Sequence, residues 1–153
     1  MKTIDINIKI RFCRLEELSE EDRQLVEMAV EATNNAYAKY SNFRVGAAVR
    51  LENGLLMKGA NQENAAFPVT LCAERTAIFA AQANYPEQPI TAIAIAAKNE
   101  NGLLSEPITP CGSCRQVMLE IEDRYKRPLR ILLYGQNGVY IVDTVKDLMP
   151  LSF

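Results

Sequence analysis

Two short stretches carry residues able to do chemistry: Cys72-Ala73-Glu74-Arg75 and Pro110-Cys111-Gly112-Ser113-Cys114. The chain has no histidine. Every Ser-His and Cys-His nucleophile scheme is therefore removed, and proton transfer near neutral pH falls to a carboxylate, Lys, Tyr or metal-bound water. Cys111 and Cys114 stand three residues apart at the start of a predicted helix, so both sulfurs can project from one face toward a single ion. Cys72 opens another predicted helix, where unpaired backbone N–H groups and the helix dipole favour thiolate over thiol. Three thiolates on two helix starts leave one tetrahedral position open, which distinguishes a catalytic zinc from a structural one. The structural alternative takes Cys13 as fourth ligand. Cys13, however, lies in an alternating segment without ligand-like spacing and reads as an ordinary buried thiol.

Glu74 turns a metal site into a reactive one. Water on zinc becomes acidic near neutral pH, and a carboxylate within hydrogen-bond reach can take its proton and later deliver it to a leaving group. Three thiolates outweigh the charge of the ion and weaken it as a Lewis acid. A nearby cation should offset this, and Arg75 is placed in the sequence to do so.

The elements that must position these residues follow from pattern. Ile4, Ile6, Ile8, Ile10 and Phe12 recur at period two, as in a strand or extended arm with one apolar face. Ser19, followed by Glu20, Glu21 and Asp22, marks a helix start, with Leu25, Met28, Ala29 and Ala32 as its stripe and its end near Tyr37. Strands are predicted over 44–51 and 55–60, joined at Asn53-Gly54. A helix follows from Cys72. The run 90–97 is apolar and rich in isoleucine, as in a strand covered on both faces. A third helix begins at Cys111, and two last strands flank Gly135–Gly138 as a hairpin. The pattern implies a mixed sheet with helices on its faces.

Composition limits the partners. The chain has 153 residues, 48% of them hydrophobic, enough for one domain with a real core. The net charge of −2 supplies no basic field for phosphate backbones or anionic membranes. The basic stretch 124–130 is balanced by Glu120, Glu122 and Asp123, so it reads as a solvated helix end. No apolar run is long enough to span a bilayer, and residues 1–10 alternate instead of forming a signal segment, so a cytoplasmic protein with no nucleic-acid or membrane partner is expected.

The Cys-x-Glu element followed by Pro-Cys-x-x-Cys matches the pattern of zinc nucleobase deaminases. Beyond it, "AYAKYSNFRVGAAV", "GANQENAAFPVTLCAERTAIFAA", "PCGSCRQVMLE" and "LMPLSF" resemble the small homotetrameric zinc-dependent cytidine deaminases over residues 20–153. The resemblance implies an α/β three-layer sandwich: a mixed five-stranded sheet with helices on both faces, its last two strands an antiparallel hairpin. It divides the chain into an arm, 1–18, and a catalytic domain, 19–153. It implies one zinc per subunit on Cys72, Cys111 and Cys114, Glu74 as proton shuttle, and hydrolytic deamination of cytidine and deoxycytidine in pyrimidine salvage. Asn61 and Glu63 match residues that bind the sugar 3′-hydroxyl, and Phe43 matches an aromatic residue of the nucleoside pocket. Phe67 stands where the family often has tyrosine. Backbone at Ala73 and Pro110 would orient the amide edge of the base. Arg75 matches an arginine that bonds the ligand thiolates, Gln116 its supporting partner, and Phe153 a C-terminal phenylalanine that enters a neighbouring subunit's site.

Blasticidin S, another cytosine-bearing small molecule, is the nearest alternative substrate, and Asn61 and Glu63 favour a nucleoside over it. A polynucleotide substrate is disfavoured by charge and by the short Gly135–Gly138 connection, since polynucleotide deaminases resemble a version with a crossover helix. A non-catalytic zinc-stabilised domain would have no use for Glu74 beside an open coordination position.

Overall fold

The Ser19 hydroxyl accepts a hydrogen bond from the Asp22 N–H at 3.3 Å and opens α1 (Glu20–Ala32), whose first turn carries three acids that suit the helix dipole. A 3₁₀ turn over Thr33–Asn35 carries it on toward Tyr37. This computed structural model describes all 153 residues. The remaining elements are β1 (Ile10–Cys13), β2 (Arg44–Leu51), β3 (Leu56–Ala60), α2 (Ala73–Asn84), β4 (Ile90–Asn99), β5 (Gly102–Leu103), α3 (Gly112–Tyr125), β6 (Arg130–Gly135) and β7 (Gly138–Val142).

The sheet runs β1-β7-β6-β4-β2-β3, with β5 paired to the end of β4. Only β4 and β6 are parallel neighbours; all other pairs are antiparallel. The last two strands form the expected hairpin. The sheet has seven strands where five were expected. The two extra are the end of the arm, which pairs with β7 from Ile10↔Val142 to Cys13↔Val139, and the two-residue β5.

Helices cover both faces. On one, Leu25, Val26 and Ala29 of α1 pack on Ala48, Ala92, Ala94, Ala96 and Leu132. On the other, Ala73, Ala77 and Ile78 of α2, with Cys114, Met118 and Ile121 of α3, pack on Ala47, Val49, Ile93, Ile95, Ile131 and Leu133. Alternate residues of one strand thus serve opposite layers. Glycines let the helices approach: a Cβ on Gly46 would lie 2.1 Å from the Ala29 carbonyl oxygen, and one on Gly59 2.4 Å from the Ala77 nitrogen.

This topology explains why two distant cysteine motifs meet. Strands β3 and β4 are each antiparallel to β2, so they run in the same direction. α2 is the next α-helix after β3, and α3, past the two-residue β5, the next after β4, so both helices begin at the same edge of the sheet. No helix is long and apolar enough to cross a membrane.

Candidate metal centre and active site

Cys72 and Cys111 occupy the N-cap positions of α2 and α3, and neither helix start has a side-chain cap. The first-turn N–H groups are left without intrahelical partners, a setting that favours negative charge. Cys114, one turn into α3, is fully buried, whereas Cys72 is half-buried and Cys111 exposed. The three sulfurs lie within 4.8 Å of one another. Cys72 Sγ and Cys111 Sγ are 3.9 Å apart, close to the roughly 3.8 Å that a tetrahedral ion with S–Zn bonds of about 2.3 Å imposes. Cys13 is half-buried on β1 and stands outside the cluster.

The sulfurs are close enough to perturb one another. Hydrogen bonding from Cys114, followed by bonding and charge from Arg75, brings the Cys72 thiol down to about 5. Its bond to Cys72, with burial and the Glu74 charge, pushes Cys114 up. Three thiols this close cannot all ionise without a positive partner. Arg75 Nη2 donates to Cys72 Sγ at 3.4 Å, while its Nε is buried without a partner. Glu74 is 4% exposed, and burial first, then the Cys72 charge, raise its carboxyl above the usual range.

The loop that carries Asn61 and Glu63 lies next to the segment that leads into Cys72. Gln62 forms single bridges to Tyr37 on one side and Leu71 on the other, tying the loop to the residue before Cys72. Asn61 Oδ1 accepts from the Val45 N–H at 2.8 Å, and its Nδ2 donates to the Phe43 carbonyl at 2.9 Å. Glu63 accepts from the Tyr40 N–H at 2.7 Å, the Ser41 N–H at 3.3 Å and the Ser41 hydroxyl. Phe43 is half-buried and Phe67 is 82% exposed. Ala73 is fully buried at the start of α2.

The structure does not join Gln116 to Arg75. Gln116 instead lines a cavity of about 780 Å³ with Leu119 and Phe153, and that cavity includes none of the cysteines. Phe153 itself is fully exposed. The neighbouring Arg115 escaped the sequence reading. Its Nε donates to the Pro110 carbonyl and its Nη1 to the Leu148 carbonyl, each at 2.8 Å, so it ties the Cys111 turn to the C-terminal segment and occupies the Pro110 oxygen. Ser41 was also missed, although its place two residues before Phe43 in "SNF" marks a turn-forming hydroxyl.

Together the fold and the cluster define a class: an α/β sandwich with a three-thiolate metal site on two helix starts and a buried carboxylate beside it. The chain belongs to the family described as the cytidine and deoxycytidylate deaminase zinc-binding region, whose model matches residues 19–126. A cytidine deaminase from Halalkalibacterium halodurans is 39% identical over 133 residues, covering 86% of this chain and 94% of that relative. A blasticidin-S deaminase from Bacillus cereus is 29% identical, covering 89% of this chain and 94% of the relative. The crystal structure of a cytidine deaminase from Burkholderia pseudomallei superposes with a TM-score of 0.74 at 39% identity, covering 89% of this chain and all of that one.

Proposed function

We propose that this chain is a zinc-dependent enzyme that hydrolyses cytidine and deoxycytidine to uridine and deoxyuridine, releasing ammonia, with one zinc per subunit on Cys72, Cys111 and Cys114. The observation that carries the reading is the meeting of three sulfurs within 4.8 Å beside Glu74, buried in the first turn of α2. Zinc, when bound, supplies the Lewis acidity that makes water a nucleophile near neutral pH. Glu74 takes a proton from the water whose oxygen adds to C4, delivers it to N3 of the pyrimidine, and then carries the proton of the newly added hydroxyl to the amino group, which leaves C4 as ammonia. Arg75 offsets the thiolate charge through Cys72 Sγ. The start of α2 at Ala73 faces the amide edge of the base.

Asn61 and Glu63 hold the sugar 3′-hydroxyl, with Phe43 and Phe67 flanking the nucleoside. The enzyme works in the cytoplasm as a homotetramer in which Phe153, fully exposed on one copy, enters a neighbour's site. The cytidine deaminase relatives and the polar loop at Asn61 and Glu63 support a nucleoside substrate. The blasticidin-S deaminase relative favours a second reading on the same scaffold.

One assay separates them: loss of ultraviolet absorbance with ammonia release from cytidine, deoxycytidine, free cytosine, blasticidin S and a cytosine-containing oligonucleotide. Turnover of the two nucleosides well above the rest is expected. Full zinc occupancy with no turnover of any compound would leave a non-catalytic zinc domain, and preferential turnover of blasticidin S would select the second reading.

A further inference from the structure

The family match begins at residue 19, and the arm before it carries none of the residues assigned to the site. It is nevertheless patterned. Ile4, Ile6, Ile8, Ile10 and Phe12 form one face, and Thr3, Asp5, Asn7, Lys9 and Arg11 the other. The five apolar side chains are 47% to 72% exposed. Only Ile10–Cys13 enters the sheet, as edge strand β1 on β7, anchored by Phe12 against Tyr140 with ring centroids 5.3 Å apart. Residues 1–9 form no helix or strand, and no turn or loop hydrogen bond involves them. An alternating, β-branched segment that prolongs an open edge strand is a template for another strand.

The charges choose the occupant. Two copies pairing in parallel would set Asp5 beside Asp5 and Lys9 beside Lys9. In antiparallel pairing, an odd register opposes apolar to polar positions, which leaves the even registers. Centring the pair on Asp5 or on Lys9 opposes like charges. Centring on Ile6 faces Asp5 with Asn7. Centring on Ile8 faces Asp5 with Arg11, which is already bound to Asp143 at 2.5 Å. Centring on Asn7 opposes Asp5 to Lys9 twice, Ile4 to Ile10 and Ile6 to Ile8, and neither Asp5 nor Lys9 has an ion pair within the chain.

We propose that residues 2–12 form an interaction surface for a second copy of this chain, the two arms pairing as antiparallel strands about a two-fold axis at Asn7. The Asp5–Lys9 pairs fix the register and the isoleucines supply the shared apolar face. A two-stranded ribbon is marginal by itself in water, so the pairing is read by covalent trapping.

In a Cys13→Ala background, Asn7→Cys places a thiol opposite its own copy and should give a disulfide-linked dimer under mild oxidation. Thr3→Cys, which opposes Arg11, should cross-link roughly tenfold more slowly or less. Adding Asp5→Lys to the Asn7→Cys chain sets lysines face to face and should slow the linkage about tenfold. An equimolar mixture with the chain carrying Asn7→Cys and Lys9→Asp should recover the rate as a heterodimer, seen by mass spectrometry. Equal rates for Asn7→Cys and Thr3→Cys, indifference to Asp5→Lys, linkage from position 7 to Cys72, Cys111 or Cys114, or no dimer at all would each overturn the proposal. The readout does not depend on turnover, so it stands apart from the enzymatic reading.

Discussion

Replacing Gly59 by alanine should damage the metal centre without touching a ligand. The added Cβ would lie 2.4 Å from the Ala77 nitrogen and 2.7 Å from the Ala73 carbonyl oxygen, whereas ordinary contact begins at 3.4 Å. Both atoms belong to the backbone of α2, so the helix start must retreat by about 1 Å, at a cost of about 1–3 kcal/mol for overpacking. Cys72 and Glu74 move with α2, while Cys111 and Cys114 stay on α3. A displacement of that size at reacting groups costs on the order of a hundredfold in rate.

Gly46→Ala is the matched perturbation on the opposite face of the sheet. Its Cβ would meet the Ala29 carbonyl oxygen at 2.1 Å and the Thr33 nitrogen at 2.6 Å, and so displace α1, which carries none of the sulfurs. Both variants are expected to lose about 3–10 °C in Tm. Only Gly59→Ala should also lose zinc, by elemental analysis, and about a hundredfold in kcat/KM for cytidine. If Gly59→Ala retained full zinc and kcat/KM within threefold of the parent, or if Gly46→Ala lost as much zinc, the coupling of helix placement to the centre would be refuted.

Single replacement of Cys72, Cys111 or Cys114 by alanine should abolish zinc binding and activity while Cys13→Ala keeps both, and metal lost from the Cys13 variant would indicate a four-thiolate structural site. Glu74→Gln, nearly isosteric, should retain zinc yet lose about 10²–10⁴-fold in kcat, as expected for a missing proton shuttle. A change confined to KM would contradict that role. For 3′-deoxycytidine, the internal bonds of Asn61 to Val45 and Phe43 leave the amide partnered when the hydroxyl is absent, so kcat/KM should fall roughly tenfold below that of cytidine. The Glu63→Ala variant should narrow that gap, and equal discrimination by parent and variant would remove Glu63 from sugar recognition.

What could be read from the sequence was what is local. Cys72, Cys111 and Cys114 were recognisable because ligand spacing at a helix start is a property of a few consecutive residues. Ser19, with its run of acids, and Asn53-Gly54 were legible for the same reason. The strand order was not. That β1 lies on β7 depends on Phe12 meeting Tyr140, two residues far apart in the chain whose contact leaves no trace in either segment alone. β5 has two residues, too short to carry a period.

The supporting shell shows the same division at finer grain. Arg115 and Gln116 are neighbours on α3 and point about 100° apart around it. Resemblance pairs Gln116 with Arg75, and the side chain that bonds the Cys111 turn is that of Arg115, because the Pro110 and Leu148 carbonyls lie on its side of the helix. Asn61 and Glu63 carry the consequence further. Polar groups drawn as substrate contacts spend most of their hydrogen-bonding capacity on backbone 16 to 23 residues away, at Val45, Phe43, Tyr40 and Ser41. Loop shape and recognition therefore rest on the same two side chains. Substitution at either should move the loop as well as remove a contact, so omitting the substrate's own hydroxyl is the cleaner way to measure recognition.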